Sequence, residues 1–213
     1  MAINKLLVMG KFATAKRLFR TQGIAGITAT VKTKYFDKWL GKEHNWFYGK
    51  LVEIGGNVIK IDGCAFSLDS PAIPTRVKSS FLFDEYEKPE RQAIRRFLNP
   101  TMPVVEFGGS VGVVSCLTNR RLSDPRRHVV VEANPAMVSL LKRNRDLNHC
   151  QFDILPAMVG YGSDRGTFYA NENFLTSSSI LTDSRDVVNV TEVKTVNLSS
   201  ILNQYQIDLH SYL

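Results

Sequence analysis

Short apolar runs alternate with helical patterns from Pro103 onward. Strands of a parallel sheet are buried on both faces, so they read as continuous apolar runs. The pattern predicts five elements in this order: a strand at Val104–Phe107, a helix at Ser110–Arg120, a strand at His128–Glu132, a helix capped by Asn134 with Pro135 at its first position, and a strand at Phe152–Val159. This order favours an α/β fold with a parallel, doubly wound sheet.

Residues 51–102 carry a different pattern, typical of a small lead-in before the sheet. The predicted elements are a hairpin of Leu51–Ile54 and Val58–Ile61 around the turn Gly55-Gly56-Asn57, a strand at Cys64–Leu68, a loop at Ser70–Pro74, and a helix at Glu87–Leu98 with Pro89 in its first turn. We therefore divide the chain into a basic helical segment (1–50), this lead-in (51–102) and a sheet domain (103–213).

Residues 1–50 are strongly basic, with ten Lys and Arg against two Asp and Glu, whereas the rest of the chain is nearly neutral. Within residues 3–20, Val8, Phe12, Ala15 and Phe19 fall on one helical face. Such a helix either lies on an anionic membrane surface or packs on its own domain with a solvated basic rim. Both interpretations stay open, and nucleic acid is not the expected partner.

Four aromatic residues, Trp39, Trp46, Phe47 and Tyr48, lie within the same basic segment. We expect them to form a small core cluster against the predicted hairpin. The alternative is that they contact lipid, sugar or bases.

The composition predicts a globular protein of the cytoplasm, with peripheral membrane contact through residues 1–50 as an open alternative. No apolar run approaches the roughly 20 residues that span a bilayer, and the N-terminus lacks the pattern of a signal peptide. The three scattered cysteines (Cys64, Cys116, Cys150) predict free buried thiols, and the four histidines show no metal-ligand spacing. We expect no metal site.

A glycine-rich turn after the first predicted strand is the strongest candidate site. Gly108, Gly109 and Gly112 allow the backbone to approach a ligand closely. Ser110 stands where the dinucleotide loop Gly-x-Gly-x-x-Gly carries its second glycine, which opposes an NAD-dependent enzyme. The spacing instead matches Glu-x-Gly-x-x-x-Gly, the version of this loop that binds S-adenosylmethionine.

Two acidic residues end the strands on either side of this turn. Glu106 ends the first strand and is expected near the positive end of the ligand, through water or the ammonium group. Glu132 ends the second strand about twenty residues after the glycines, where an acid accepts hydrogen bonds from both ribose hydroxyls.

Several blocks of the chain resemble the FkbM family of S-adenosylmethionine-dependent methyltransferases. The blocks are Glu85-Tyr86-Glu87-Lys88-Pro89-Glu90, similar to an acidic lead-in helix; Val105-Glu106-Phe107-Gly108-Gly109-Ser110-Val111-Gly112, similar to Asp-x-Gly-Ala-Asn-x-Gly; Val131-Glu132-Ala133-Asn134-Pro135, similar to Glu-Pro-Asn-Pro; Leu155-Pro156-Ala157-Met158-Val159-Gly160; and Val193-Lys194-Thr195-Val196-Asn197-Leu198. The resemblance covers residues 83–209.

The resemblance implies a Rossmann-like class I methyltransferase sheet that binds S-adenosylmethionine and methylates a hydroxyl of a carbohydrate or small metabolite. It adds Ala133, Asn134 and Ala157 to the candidate cofactor-binding residues. Family members carry an acidic Asp-x-Glu-Gly motif beyond the segment that resembles Ile207-Asp208-Leu209. This chain ends at Leu213 before such a motif, so we expect a half-sheet and assign no catalytic residue.

A function of another class remains open beside this one. The chain would then be a non-catalytic module that attaches to membranes or other polyanions through its basic N-terminal segment.

Overall fold

A computed structural model of the chain describes residues 43–171 and 187–207. The elements, in chain order, are α1 (Glu43–Ile54), β1 (Val58–Ile61), β2 (Cys64–Ser67), α2 (Thr75–Leu82), α3 (Lys88–Phe97), β3 (Val104–Phe107), α4 (Val113–Asn119), β4 (His128–Glu132), α5 (Pro135–Leu147), β5 (Asp153–Pro156), β6 (Met158–Val159), β7 (Arg165–Asn171), β8 (Val187–Val196) and α6 (Leu198–Gln204). The predicted helix at residues 3–20 and Trp39 lie outside the described residues.

Strands β3, β4 and β5 form a parallel sheet in that order. The register sets Glu106 of β3 opposite Val130 of β4. The two predicted strands β3 and β4 are confirmed at their predicted bounds. The predicted cap is also confirmed, because the Asn134 side chain accepts a hydrogen bond from the N–H of Ala136. The fold is therefore mixed α/β, with a three-stranded parallel sheet and helices beside it.

The central strand β4 is buried on both faces. Successive residues of a strand point to opposite faces, and β4 separates two clusters in this way. Val130 belongs to a large cluster with residues of α4, α5 and the β1–β2 hairpin, including Leu141. Val129 and Val131 face the other side, where they pack with Ile201 of α6. Helices on both faces explain why β4 is buried along its whole length.

Helix α4 begins at Val113, three residues later than the predicted start at Ser110. Ser110 and Gly112 have positive φ angles of 47° and 90°, which a right-handed helix does not accept. The glycine-rich segment is therefore a loop that ends at Gly112, and the predicted helix start was wrong.

The third predicted strand, Phe152–Val159, is interrupted at Ala157. Strand β5 ends at Pro156, and β6 pairs with β8 in a second sheet, of order β6-β8-β7. The N–H of Ala157 still bonds the carbonyl of Glu132, the last residue of β4. Beyond that point β4 offers no further partner, so the chain moves to β8. The prediction of one continuous strand was wrong for this reason.

The predicted hairpin of Leu51–Ile54 with Val58–Ile61 was also wrong. Residues 51–54 are the last turn of α1, and β1 pairs with β2 instead. Gly56, at φ 91°, follows the helix end and takes the left-handed conformation common there. The two glycines therefore end a helix and do not turn a hairpin.

The expected aromatic core cluster is wrong for Trp46 and Phe47, whose exposed fractions are 55% and 52%. The opposite side of α1 packs on α2, where a Cβ on Gly49 would lie 1.7 Å from the carbonyl oxygen of Thr75. Tyr48 lies on that packed side and stacks edge-to-face with Phe83. The contact with α2 thus determines which aromatic side chains remain in solvent.

Asn144 of α5 and Asn148, the residue that caps the end of this helix, join the lead-in to the sheet domain. The side-chain amide of Asn144 accepts from the N–H of Ser67 and donates to its carbonyl, at 2.8 and 3.1 Å. Asn148 forms the same pair of bonds with Ala65. Each side-chain amide pairs with the hairpin as the backbone of a neighbouring strand would. The hairpin is therefore fixed on α5, and residues of both belong to the same hydrophobic cluster.

The remaining lead-in matches the sequence pattern in part. Helix α3 confirms the predicted helix within one residue at each end, with Pro89 in its first turn. Helix α2 follows the loop at residues 70–74 and was not predicted. Cys64, Cys116 and Cys150 are free and buried, as predicted. Within residues 43–171 and 187–207, no helix is long and apolar enough to cross a membrane.

Candidate functional site

A cavity of about 360 Å³ opens at the carboxyl ends of β3 and β4. In a parallel α/β sheet this edge is where ligands bind. The residues that line the cavity are Tyr86, Glu87, Phe107, Gly108, Ser110, Val131, Glu132, Ala133, Asn134, Met137, Ala157, Val159 and Phe168. Six of the nine sequence-predicted site residues are among them: Gly108, Ser110, Glu132, Ala133, Asn134 and Ala157. Glu106, Gly109 and Gly112 are not.

The glycines of the loop have different tasks. Gly108 has a φ of 85°, and a Cβ built on it meets no atom within 4 Å, so it borders open space beside the cavity. A Cβ on Gly109 would lie 2.5 Å from Val130 and 2.6 Å from Leu141. Gly112 also meets Leu141. Because Gly108 has no side chain, the space beside the loop stays open, whereas Gly109 and Gly112 allow the loop to lie against the core.

Glu132 is held at the centre of the cavity wall by backbone N–H groups. One carboxylate oxygen accepts from Ser110 and the other from Asn134, each at 2.7 Å. Burial raises the pKa of Glu132 although these bonds oppose the rise. A carboxylate offers about four acceptor positions, so Glu132 can accept further hydrogen bonds from a ligand's hydroxyls.

Glu106 occupies different surroundings from those expected. Its carboxylate accepts from the Ser115 hydroxyl at 2.7 Å and lies 3.1 Å from Nε2 of His128. His128 is fully buried, and its other ring nitrogen meets the amide of Asn119. Both oxygens of Glu106 are thus engaged beneath α4.

Tyr86 and Glu87 line the cavity and were missed as site residues. They form the turn before α3, where Glu87 has a left-handed φ of 46°. The Tyr86 hydroxyl lies 3.0 Å from Oγ of Ser110. Burial and the nearby Glu106 raise the pKa of Glu87 to about 7. The sequence carried one signal for these residues, because the block Glu85-Tyr86-Glu87 resembles the acidic lead-in helix of the FkbM family.

Arg91 fixes this turn from below. Its guanidinium is buried and donates to the carbonyl oxygens of Tyr86 and Asp84, at 3.0 and 2.9 Å. It also forms an ion pair with Asp62 in the β1–β2 turn. Because one side chain holds both turns, the position of Glu87 depends on the hairpin.

The cavity is acidic and partly apolar. Glu87 and Glu132 line it, and no Lys, Arg or His is among its described lining residues. A ligand with a pyrophosphate group would meet two carboxylates and no cation. A neutral or cationic ligand fits this charge better.

Asp153, at the start of β5, is exposed and does not line the cavity. In the described ranges, no group of three or more His, Cys, Asp or Glu side chains is arranged to hold a metal ion.

Comparison of the chain with protein-family models, with curated proteins and with solved structures finds no match in any of the three.

Proposed function

We propose that the chain is a Rossmann-like S-adenosylmethionine-binding domain of the FkbM type of methyltransferase. The observation that carries the proposal is Glu132, oriented by two backbone N–H groups at the edge of a glycine-loop cavity. An acid in this position at the end of the second strand is the group that binds ribose hydroxyls in Rossmann-like sheets.

The residues of the cavity fit this cofactor in three respects. Glu132 has acceptor capacity left for ribose hydroxyls. Gly108 has no side chain to obstruct a ligand beside the loop. The two carboxylates, without a lining cation, suit the positive sulfonium of S-adenosylmethionine and oppose the pyrophosphate of NAD.

The reaction we propose is methylation of a hydroxyl on a carbohydrate or small metabolite. When bound, S-adenosylmethionine supplies an electrophilic methyl group. The chain's own contribution is to hold the cofactor and to exclude water along the apolar side of the cavity, which includes Phe107, Val159 and Phe168. The acceptor class follows from the family resemblance alone, and no described residue is assigned as catalytic.

A thermal-shift assay tests the cofactor class. We expect S-adenosylmethionine and S-adenosylhomocysteine to raise the melting temperature, because ligands that bind the folded state stabilise it. NAD at the same concentration should leave it unchanged. Stabilisation by NAD alone would replace the proposal with a dinucleotide-binding function.

A second candidate function is attachment to an anionic membrane surface, favoured by an exposed apolar stripe. The stripe consists of Trp46, Phe47, Leu51 and Ile54 of α1, and Val58 at the start of β1 is exposed as well. Lys50 lies 5.6 Å from the ring of Trp46. Aromatic and aliphatic side chains beside cations are typical of surfaces that bind at the lipid interface.

Cosedimentation with vesicles tests this candidate. The double variant Trp46→Ser/Ile54→Ser should bind phosphatidylserine vesicles more weakly than wild type, and it should fold normally because both side chains are exposed. Phe97→Ser removes an equally exposed aromatic residue elsewhere and serves as the control. Equal vesicle binding by all three proteins would exclude the stripe as a membrane contact.

A further inference from the structure

Glu87 is the N-cap of α3, yet its side chain forms no capping bond there. It instead lines the cavity together with Tyr86 and Ser110. Tyr86 and the N–H of Val114, in the first turn of α4, favour its ionised form and oppose the rise of its pKa. Glu87 therefore faces the cavity beside the glycine loop and the start of α4.

Ser110 connects Glu87 with Glu132. The N–H of Ser110 donates to Glu132 at 2.7 Å, and its Oγ lies 3.0 Å from the hydroxyl of Tyr86. Either hydroxyl can be the donor of this bond. Glu87 and Glu132 both line the cavity, so two acidic side chains lie near the same loop residue.

This arrangement changes the chemistry expected at the start of α4. A free helix start attracts anions. Here the N–H of Val114 already favours the ionised form of Glu87 and opposes the rise of its pKa. Arg91, the nearest buried cation below the turn, is engaged by Asp62 and Asp84. The negative charge of Glu87 is therefore available to a positive group in the cavity.

We infer that Glu87 binds the ammonium group of the methionyl half of the cofactor, while Glu132 binds its ribose. This rests on the proposed function, since it assigns the two ends of S-adenosylmethionine to two ends of the same cavity. Glu106, the group first expected to meet the ammonium, is excluded because it does not line the cavity; its carboxylate lies against Ser115 and His128 beneath α4.

Two ligands distinguish the contact of Glu87 with the ammonium group from the contact of Glu132 with the ribose. S-adenosylhomocysteine carries both ribose and ammonium, whereas 5′-methylthioadenosine carries the ribose and lacks the amino-acid part. Glu87→Gln should weaken S-adenosylhomocysteine about tenfold or more, as expected for loss of a charge-assisted hydrogen bond. It should leave the affinity for 5′-methylthioadenosine within about twofold of wild type. Glu132→Gln should weaken both ligands alike.

Glu90→Gln is the matched control, because Glu90 is an exposed acid of the same helix and its replacement makes the same change in net charge. It should leave both affinities within about twofold of wild type, since surface charges are screened by solvent and salt. Unfolding curves of each variant verify that the cavity still forms.

The pH profile gives an independent readout. Glu87 faces Tyr86 and Glu106 across the cavity wall and Glu90 on its own helix, and its pKa is about 7. The affinity of wild type for S-adenosylhomocysteine should rise from pH 6 to pH 8 as Glu87 ionises. The Glu87→Gln variant should show a smaller rise over the same range, since Glu132, whose pKa is also raised by burial, remains.

The outcomes distinguish the inference from the proposed function. Wild type that binds both ligands, together with Glu87→Gln that loses both or neither, would overturn the inference and leave the proposed function standing. Folded wild type that binds neither ligand would overturn the proposed function and the inference with it. Selective loss of S-adenosylhomocysteine supports both.

Discussion

Glu106 and Glu132 stand near the ends of neighbouring parallel strands, and the difference between their surroundings explains where the site lies. Glu106 pairs with Val130 in the sheet, two residues before Glu132 on the same strand. At that depth it lies under α4 and bonds Ser115 and His128. Glu132 reaches the edge of the sheet, where the chain turns and the cavity opens. Depth along the strand therefore separates the acid that lines the cavity from the acid that is bonded beneath α4.

The largest effect should come from Glu132→Ala. Loss of the carboxylate removes the ribose acceptor and also leaves the N–H groups of Ser110 and Asn134 without their partner. We expect the affinity for S-adenosylhomocysteine to fall by roughly a hundredfold or more, as for loss of two charge-assisted bonds. Isothermal titration measures it. Unchanged affinity would show that the ribose lies elsewhere.

The corresponding change on β3 should affect stability and not binding. Glu106→Ala leaves the buried His128 ring and the Ser115 hydroxyl without their hydrogen-bond acceptor. This loss should lower the free energy of unfolding by about 2–4 kcal/mol. Urea denaturation measures the loss. Glu106→Gln keeps acceptor and donor atoms in place, so it should bind the cofactor like wild type. A Glu106→Gln variant that is stable but does not bind would mean that Glu106 is a ligand-binding group after all.

Neighbouring glycines allow a similar comparison. Gly109→Ala should lower the free energy of unfolding by about 1–3 kcal/mol, because its Cβ collides with Val130 and Leu141. Gly108→Val should lower both binding and stability, since its side chain enters the space beside the cavity and a φ of 85° strains a β-branched residue. Denaturation and titration of both variants test the distinction. Folded Gly108→Val that binds like wild type would contradict the role of Gly108 beside the cavity.

The smallest effect should appear in the pH dependence of stability without ligand. The pKa of Glu87 is raised to about 7, so between its ordinary value and 7 the folded protein binds more protons than the unfolded chain. This term makes the free energy of unfolding fall as pH rises from 5 to 7 and then level off. Glu87→Gln should reduce that slope in urea denaturation. The charged or titratable neighbours Tyr86, Glu106 and Glu90 are retained, so an unchanged slope would assign it to another group.

The sheet was predictable because its local signals agree with the tertiary contacts. The apolar run of β4 is buried as expected, and Asn134 with Pro135 begins α5 where the cap was predicted. The run of β3 forms a strand at its predicted bounds but is only partly buried. The lead-in was less predictable. Leu51–Ile54 has the apolar character of a strand, but its packing against α2 makes it part of a helix.

Within the site, the sequence predicted the glycine loop and Glu132 as cavity residues. It did not predict how far below the edge of the sheet Glu106 lies. Strand register is a tertiary property, and nothing in the local pattern sets Glu106 opposite Val130. Tyr86 and Glu87 enter the cavity from a turn that Arg91 holds through contacts with Asp62, far away in sequence. No spacing rule around the glycines could have included them.

The most direct test of the central claim is isothermal titration of the 213-residue chain with S-adenosylhomocysteine. We predict binding at a single site with micromolar affinity, because Glu132 and the loop already form the cavity. A folded sample that releases no binding heat at millimolar ligand would contradict the assignment of this cavity to the cofactor.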